Sequence, residues 1–285
     1  MGEYVREGGA YRALSDIGRI GVAGCGRMGG PMLAALVAAG FDAQGYDIAA
    51  GHLADDVPVT DDPVRFADGL RVLITVVRDS DQTDDVLFGR GDLARRARDL
   101  HSLVVSSTLS PRYVRALADR LPSHIRLSDA PMSGARIAAQ ERRLSFMLGG
   151  EAAELDRLQP LFSAMGAHFH RMGPFGAGSQ SKVLNNLLAA SHTAMTRLVL
   201  DWADAAGLDE RRLLALIETS SGQNWLASGM DSIEFARDGF SEDNSIGILV
   251  KDVSAALDAA PEGSETALPE EVRRVIRGLK PRQAS

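Results

Sequence analysis

The amino-acid sequence predicts a doubly wound α/β domain with a mostly parallel sheet, followed by an all-α domain. Apolar, β-branched runs alternate with helical segments up to residue 178, as in parallel sheets covered by helices on both faces. From residue 179 onward helical periodicity continues without a convincing strand. We therefore expect an N-terminal extension at 1–17, the α/β domain at 18–178 and the helical domain at 179–285.

The individual elements follow from the spacing of apolar residues. Gly40 and Gly207 each follow a periodic segment, where a glycine is typical of the end of a helix. The predicted strands are 20–23, a second strand ending at Tyr46-Asp47, 71–77, 103–107, 125–129, 145–148 and 168–172. The predicted helices are 32–39, 81–99, 111–120, 151–165, 182–206, 209–219, 224–237, 246–260 and 268–278.

The turn after the first strand is the most informative local motif. Gly24, Gly26 and Gly29 have the G-x-G-x-x-G spacing, which suits a tight turn, a pyrophosphate against bare backbone, and close helix–strand packing. Asp47 follows at the end of the second strand, where such folds bind a ribose 2′-hydroxyl and repel a 2′-phosphate. The combination predicts a Rossmann domain that binds NAD in preference to NADP. A glycine-rich turn in another kind of α/β domain is the alternative.

Composition excludes several classes of function. With 285 residues, 45% apolar and 24% charged, the chain matches an ordinary globular protein. Its net charge of −7 argues against a nucleic-acid partner. No apolar stretch reaches the length of a membrane span, and no signal-peptide core is present. Cys25 is the only cysteine, so we expect a cytoplasmic protein without an intrachain disulfide, and a thiol that fills space rather than acting as nucleophile.

Polar residues on the predicted helix 182–206 are candidates for chemistry. Lys182 and Asn186 are four residues apart and project from one face, with Asn185 beside them. Burial among apolar neighbours brings a lysine toward the range in which it acts as a general acid or base. Alternatively, the lysine extends into solvent from a helix end and the asparagines form a polar edge. Spacing alone leaves both interpretations open.

Other polar segments are equally ambiguous when taken singly. Ser133 and Gly134 follow a strand and would suit an anionic ligand or an ordinary turn, and 106–108 end another strand. Lys251-Asp252 by itself is typical of a surface pair. The histidines show no metal-ligand spacing, so we expect no catalytic metal.

Together these motifs resemble the β-hydroxyacid dehydrogenase family, which includes 3-hydroxyisobutyrate dehydrogenase and tartronate semialdehyde reductase. Four landmarks occur in the family's order over roughly residues 18–270, which is far more specific than any one of them. They are G-x-G-x-M-G at 24–29, D-A-P-x-S-G at 129–134, G-x-x-x-K-x-x-N-N at 178–186 and K-D at 251–252.

The resemblance implies NAD-dependent hydride transfer to or from a small β-hydroxyacid or semialdehyde, in a cleft between the two domains. It implies Lys182 as general acid/base and Asn186 as its substrate-orienting partner. A homodimer or homotetramer is common in the family. The implied substrate contacts are Ser133, Gly134, Ala135 and Asn185, and the implied cofactor contacts are Gly24, Gly26, Arg27, Met28, Gly29, Asp47, Val77, Arg78, Thr108 and Lys251.

The sequence departs from the family pattern at several positions. Arg78 replaces a proline, and Ala135, Ala138 and Arg142 occupy glycine positions. These changes bear on which substrate is bound more than on the chemistry.

Three rivals share the architecture. 6-Phosphogluconate dehydrogenases carry a histidine where Asn185 stands, whereas imine reductases and a noncatalytic dinucleotide-binding module would lack Lys182. Among enzymes, the alternative is an imine-reductase-like or other NADP-dependent reductase on the same fold. The sequence does not identify the hydroxyacid.

Overall fold

The computed structural model describes residues 17–49 and 57–283, and it divides into two compact units. One unit ends at Lys182 and the other begins at Val183. Of the predicted N-terminal extension only Ile17 is described. The side chain of Ile17 is buried among the core residues of the first unit.

The first unit is built on a nine-stranded sheet within the described residues, and its strand order is β3-β2-β1-β4-β5-β6-β8-β7, with β9 beside β8. The pairs among β1 to β6 are parallel, while β8 runs antiparallel to β6 and β7. The mostly parallel sheet is thus confirmed. The strands are β1 (Arg19–Ala23), β2 (Ala43–Tyr46), β3 (Val59–Thr60), β4 (Leu70–Thr75), β5 (Ser102–Val105), β6 (Arg126–Asp129), β7 (Met132–Ser133), β8 (Leu144–Gly150) and β9 (Gly166–Gly173).

Helices cover both faces of this sheet, as doubly winding requires. They are α1 (Gly29–Ala38), α2 (Pro63–Ala67), α3 (Ser80–Leu87), α4 (Leu93–Arg96), α5 (Pro111–Arg120), α6 (Arg136–Gln140) and α7 (Ala152–Met165). One core cluster joins α1, α6 and α7 to the sheet and includes Met32, Leu36, Leu158 and Phe162. The second cluster joins helices α2, α3, α4 and α5 to the opposite face and includes Phe66.

The strand register brings the predicted cofactor residues to one edge. Parallel strands end at the same edge, and the hydrogen-bond ladder continues past their last residues. Gly24 N–H donates to Tyr46 O at 2.9 Å, and Ser106 N–H donates to Thr75 O, also at 2.9 Å. The chain reverses its strand order between β1 and β4, which is the topological switch point where open α/β sheets bind ligands.

The second unit contains helices and no strand within its described residues. Helix α8 (Ala177–Ala205) begins in the first unit and is followed by Gly207, whose φ is +70°. The remaining helices are α9 (Glu210–Glu218), α10 (Trp225–Ser228), α11 (Ser245–Asp258) and α12 (Ala267–Arg277). Residues of α8, α11 and α12 form a core cluster that includes Ala190 and Val253.

Two predicted helices are wrong in extent. The segment 81–99 is divided into α3 and α4, because Gly91 packs its bare Cα on Val86 and Asp92 adopts a left-handed conformation (φ +47°). The segment 224–237 is helical only in α10. Gly229 follows it, and a side chain at Gly229 would collide with Ile233.

Candidate active site

The three glycines of the turn after β1 meet three different demands. Gly24 has φ +91°, and a Cβ there would lie 2.6 Å from Val76 O. A Cβ on Gly29 would overlap the carbonyl of Gly24, so this glycine permits close packing of α1 on β1. Gly26 is exposed and faces open space, with no atom within 4 Å of a built Cβ. The protein itself therefore has room for a side chain at position 26. A glycine there suits a site in which a pyrophosphate lies against the bare backbone.

Helix α1 presents its N-terminus at the same place. Its N-cap, Met28, makes no side-chain capping bond, and its first turn contains no acidic residue. No side chain therefore caps the backbone of the first turn or neutralises the positive end of the helix dipole, and both features favour an anion there. Arg27 is exposed beside them. These residues fit the diphosphate of a dinucleotide.

Asp47 follows β2 and contacts the glycine turn directly. Its carboxylate accepts the N–H of Cys25 at 2.8 Å and that of Ala49 at 2.9 Å. Each oxygen of a carboxylate accepts two hydrogen bonds, so one site on each remains for a ribose hydroxyl. Asp47 therefore shapes the turn, and its carboxylate can accept a further hydrogen bond there.

Cys25 is a structural residue of this turn. Its side chain is buried, and Sγ donates to Val22 O at 3.4 Å. Burial, reinforced by the charge of Asp47, raises the pKa of the thiol to about 12. The protonated, enclosed thiol agrees with a space-filling role and not with a nucleophile.

Val77 and Thr108 lie beyond the carboxyl ends of the neighbouring strands. Val77 is half-buried, and its Cγ1 would lie 2.9 Å from a Cβ on Gly24, so it packs against the glycine turn. Thr108 is half-buried after β5. Arg78 is exposed, and its backbone N–H donates to Gln82 Oε1 at 3.0 Å. A proline at this position could not make that bond, which is the structural counterpart of the departure from the family pattern.

Ser133 and the residues after it form a tight connection between β7 and α6. Ser133 pairs with Ser145 across the antiparallel strands and is half-buried. Gly134 has φ +132°, and a Cβ there would lie 2.8 Å from the methyl of Ala138. Ala135 is the exposed N-cap of α6 and makes no side-chain cap. Ser133 thus stands at the end of a short strand with bare backbone directly behind it.

Lys182 and Asn186 are both buried on α8, with exposed fractions of 8% and 9%. Asn186 Nδ2 donates to Asp252 Oδ2 at 2.6 Å, and its Oδ1 accepts from Asn185 Nδ2 at 3.2 Å. The carboxylate accepts only from N–H, so it fixes the orientation of the Asn186 amide. Asn185 itself is exposed.

Asp252 corrects the interpretation of Lys251-Asp252 as a surface pair. Asp252 is 2% exposed and lies on the inner face of α11, while the side chain of Lys251 is 35% exposed and its Nζ lies 3.9 Å from Asp252 Oδ1. The signal was present in the sequence, because Leu249 and Ala256 bracket Asp252 at helical spacing and both are buried. A carboxylate on the buried face of a helix indicates a hydrogen-bond donor in the protein interior.

The described residues contain no group of three or more His, Cys, Asp or Glu side chains arranged to hold a metal ion. Nor does any helix in the described ranges have the length and apolar character that crossing a bilayer requires.

Two family models match the chain. The NAD-binding domain of 6-phosphogluconate dehydrogenase matches residues 19–173, and the NAD-binding domain of NADP-dependent 3-hydroxyisobutyrate dehydrogenase matches residues 176–279. The chain belongs to the β-hydroxyacid dehydrogenase family. It is an NAD(P)-dependent oxidoreductase of that family, as the four landmarks predicted, and the predicted dinucleotide cofactor is confirmed.

Curated relatives and solved structures agree with this assignment. L-Threonate dehydrogenase of Cupriavidus necator is 29% identical over 85% of this chain and 83% of its own length. 3-Hydroxyisobutyrate dehydrogenase of Pseudomonas aeruginosa is 28% identical over 86% of this chain and 85% of its own. The Mycobacterium tuberculosis 3-hydroxyisobutyrate dehydrogenase, solved with L-serine, superposes with a TM-score of 0.77 at 26% identity, covering 93% and 96% of the two chains.

One of the positions where the family pattern has glycine, Arg142, has a backbone conformation that favours glycine. Arg142 has φ +56°, in the left-handed region. Its N–H donates to Ala139 O at 3.2 Å, and Arg143 N–H donates to Ala138 O at 2.8 Å. This pair of bonds is a Schellman motif that ends α6, and Arg142 occupies the position where glycine is usual. An arginine thus adopts the left-handed conformation that this motif requires.

Proposed function

We propose that the dehydrogenase oxidises a small β-hydroxyacid, or reduces the corresponding semialdehyde, with Lys182 as general acid/base. The observation that carries this proposal is the burial of Lys182 on α8, one turn before a buried Asn186 whose amide is fixed by Asp252. A desolvated amine in a polar, preorganised setting is suited to proton transfer at neutral pH.

Each residue then has a defined task. In oxidation Lys182 Nζ accepts the hydroxyl proton as the carbinol carbon loses hydride, and in reduction it returns that proton to the alkoxide. Asn186 orients the reacting oxygen through its amide. Ser133 and the backbone at Gly134 and Ala135 hold the substrate carboxylate. Bound NAD supplies the hydride acceptor at nicotinamide C4, and the protein supplies position and charge.

The test is a panel assay that follows nicotinamide absorbance with β-hydroxyacids such as 3-hydroxyisobutyrate, L-threonate and L-serine. We expect Lys182→Ala to lower kcat by about 10²- to 10⁴-fold, the usual contribution of a general acid/base. NADH binding, measured by fluorescence titration, should stay near that of the wild type. Near-normal turnover in Lys182→Ala would refute the mechanism.

We infer further that NAD is the preferred dinucleotide, held by the glycine turn with Asp47 at the ribose, while Val77, Arg78 and Thr108 border the nicotinamide. The negative charge of Asp47 opposes a 2′-phosphate. Asp47→Asn keeps an acceptor for Cys25 N–H while removing that charge. The ratio of NADP to NAD dissociation constants should fall in this variant. An unchanged ratio would contradict the role of Asp47.

We also propose a homodimer or homotetramer located in the cytoplasm. Helix α8 carries an exposed apolar stripe at helical spacing, and Met195 (60% exposed) and Trp202 (69% exposed) belong to it. The other members of the stripe are Leu184, Leu188 and Leu198. An apolar stripe of this kind is typical of a subunit interface. Trp202→Glu should lower the mass measured by light scattering, whereas substitution of the exposed Leu268, outside the stripe, should not.

A further inference from the structure

Asp129 is a buried carboxylate to which the reaction described above gives no task. It is the last residue of β6, and its exposed fraction is 0%. Its Oδ1 accepts the backbone N–H of Gly176 at 2.7 Å, and its Oδ2 accepts that of Ser179 at 2.5 Å. These amides belong to the beginning of α8, where a helix leaves its N–H groups without partners. A residue 47 to 50 positions earlier in the chain therefore caps this helix.

Two glycines make room for the carboxylate. A Cβ on Gly178 would overlap Met147 O in β8, and would lie 3.0 Å from both Oδ2 and the main-chain oxygen of Asp129. A Cβ on Gly149, in β8, would overlap Oδ1 of the same side chain. Gly178 is the glycine of the G-x-x-x-K-x-x-N-N landmark, so the packing explains why this landmark begins with glycine. Asp129 in turn begins the D-A-P-x-S-G landmark, and the two landmarks are joined at this contact.

The contact lies one helical turn from Lys182. Gly178 and Ser179 precede Lys182 by four and three residues and share its face of α8. Helical side chains point back toward the N-terminus of their helix, so the side chain of Lys182 is directed toward the turn that Asp129 caps. On the other side, Ser133 follows Asp129 by four residues through a short bend and β7. The direction of the Lys182 side chain and the position of Ser133 thus both depend on the contact between Asp129 and the beginning of α8.

We propose that Asp129 is a positioning residue for the reaction, because its carboxylate holds the beginning of α8, and with it Lys182, against the strand end that leads to Ser133. This inference rests on the proposed role of Lys182. A carboxylate suits the task because it offers an acceptor to each of the two N–H groups. An amide offers one acceptor oxygen, and its NH₂ would face the second N–H. Burial raises the pKa of Asp129, and the two backbone N–H bonds act in the opposite direction.

The test is Asp129→Asn, which conserves shape and removes one of the two bonds. We expect kcat to fall about 10- to 100-fold, since small displacements of a catalytic group have effects of this size. The NADH dissociation constant should stay within about twofold, because the glycine turn is held by separate contacts. Hydrogen–deuterium exchange of a peptide spanning 174–181 should become faster in the variant.

Glu154→Gln is the matched control. Glu154 is also a buried acid (7% exposed) of the first unit, and it accepts hydrogen bonds from Arg157 and Ser102. Ser102 begins β5, at the edge of the sheet opposite the glycine turn. We expect this variant to lose stability while keeping the wild-type kcat. An equal fall of kcat in both variants would reduce Asp129 to general stabilisation and overturn the proposal.

Two further outcomes separate this inference from the proposed function. If Lys182→Ala is inactive while Asp129→Asn keeps the wild-type kcat, the positioning role is refuted and the role of Lys182 stands. If Lys182→Ala turns over normally, the proposed function fails first.

Hydrogen–deuterium exchange of the wild-type protein gives a measurement that needs no variant, because the Gly176 and Ser179 amides should be protected from exchange. Rapid exchange of both amides would also overturn the proposal.

Discussion

Arg142 offers a direct test of how backbone strain is distributed around the substrate segment. The residue occupies the left-handed position of the Schellman motif after α6, with φ +56°. An L-residue with a side chain pays about 1–2 kcal/mol for this conformation, whereas glycine adopts it freely. Replacing Arg142 by alanine keeps the strain, and replacing it by glycine removes the strain. The comparison of these two variants therefore isolates the conformational term from the loss of the arginine side chain.

Two opposing contributions set the difference in free energy of unfolding between Arg142→Gly and Arg142→Ala. Relief of strain favours the glycine variant by about 1–2 kcal/mol, and the larger entropy of glycine in the unfolded chain opposes it by about 0.4–1 kcal/mol. We expect Arg142→Gly to exceed Arg142→Ala in free energy of unfolding by about 0.5–1 kcal/mol. Arg136 is the control, because it is exposed in the same segment but helical. There the glycine variant should be less stable than the alanine variant by about 0.5–1 kcal/mol.

Urea unfolding followed by circular dichroism measures all four variants. Circular dichroism is preferable to tryptophan fluorescence because both tryptophans, Trp202 and Trp225, belong to the second unit. We expect glycine to be the more stable replacement at Arg142 and alanine at Arg136. If alanine is the more stable replacement at both positions, the left-handed conformation of Arg142 is not a source of strain.

Three further predictions concern other parts of the structure. Cys25, with a pKa raised to about 12 by burial, should resist iodoacetamide at pH 8 in the native protein and react in urea; fast native labelling would contradict this. Burial alone raises the pKa of Glu154, but hydrogen bonds led by that from Arg157 hold it below its usual 4.5. The stability lost in Glu154→Gln should therefore be full above pH 4.5 and shrink as the pH falls below it, and a pH-independent difference in urea midpoint would refute this. Asp252→Ala should lower kcat/KM by at least about tenfold by releasing Asn186, since a buried donor is left unpaired. Wild-type kcat/KM in Asp252→Ala would argue that Asn186 needs no anchor.

The elements that the sequence predicted well are those with strong local signals. Helix α5 begins and ends as expected at 111 and 120, because Ser110 caps it and Pro111 occupies its first turn. Helix α10 shows the opposite case. The apolar spacing over 224–237 is helical, yet the side chain of Ile233 packs over Gly229, and Met230 and Ala236 are buried together with Leu226. Burial there does not require a continuous helix, so periodicity overestimates its length.

The sequence by itself determined the alternation of the main strands and helices, the glycine turn with its acid, and the family, because these depend on residues close together in the chain. The short elements α2, α6, β3 and β7 were not predicted. Only the tertiary structure decided what the buried acids do. In the sequence Asp252 was typical of a surface pair with Lys251, and the structure shows that its carboxylate accepts a hydrogen bond from Asn186, 66 residues away. In the sequence Asp129 was only the first residue of a motif, and the structure shows that it caps the beginning of α8. A buried carboxylate must find hydrogen-bond donors, and no local pattern reveals which distant segment provides them.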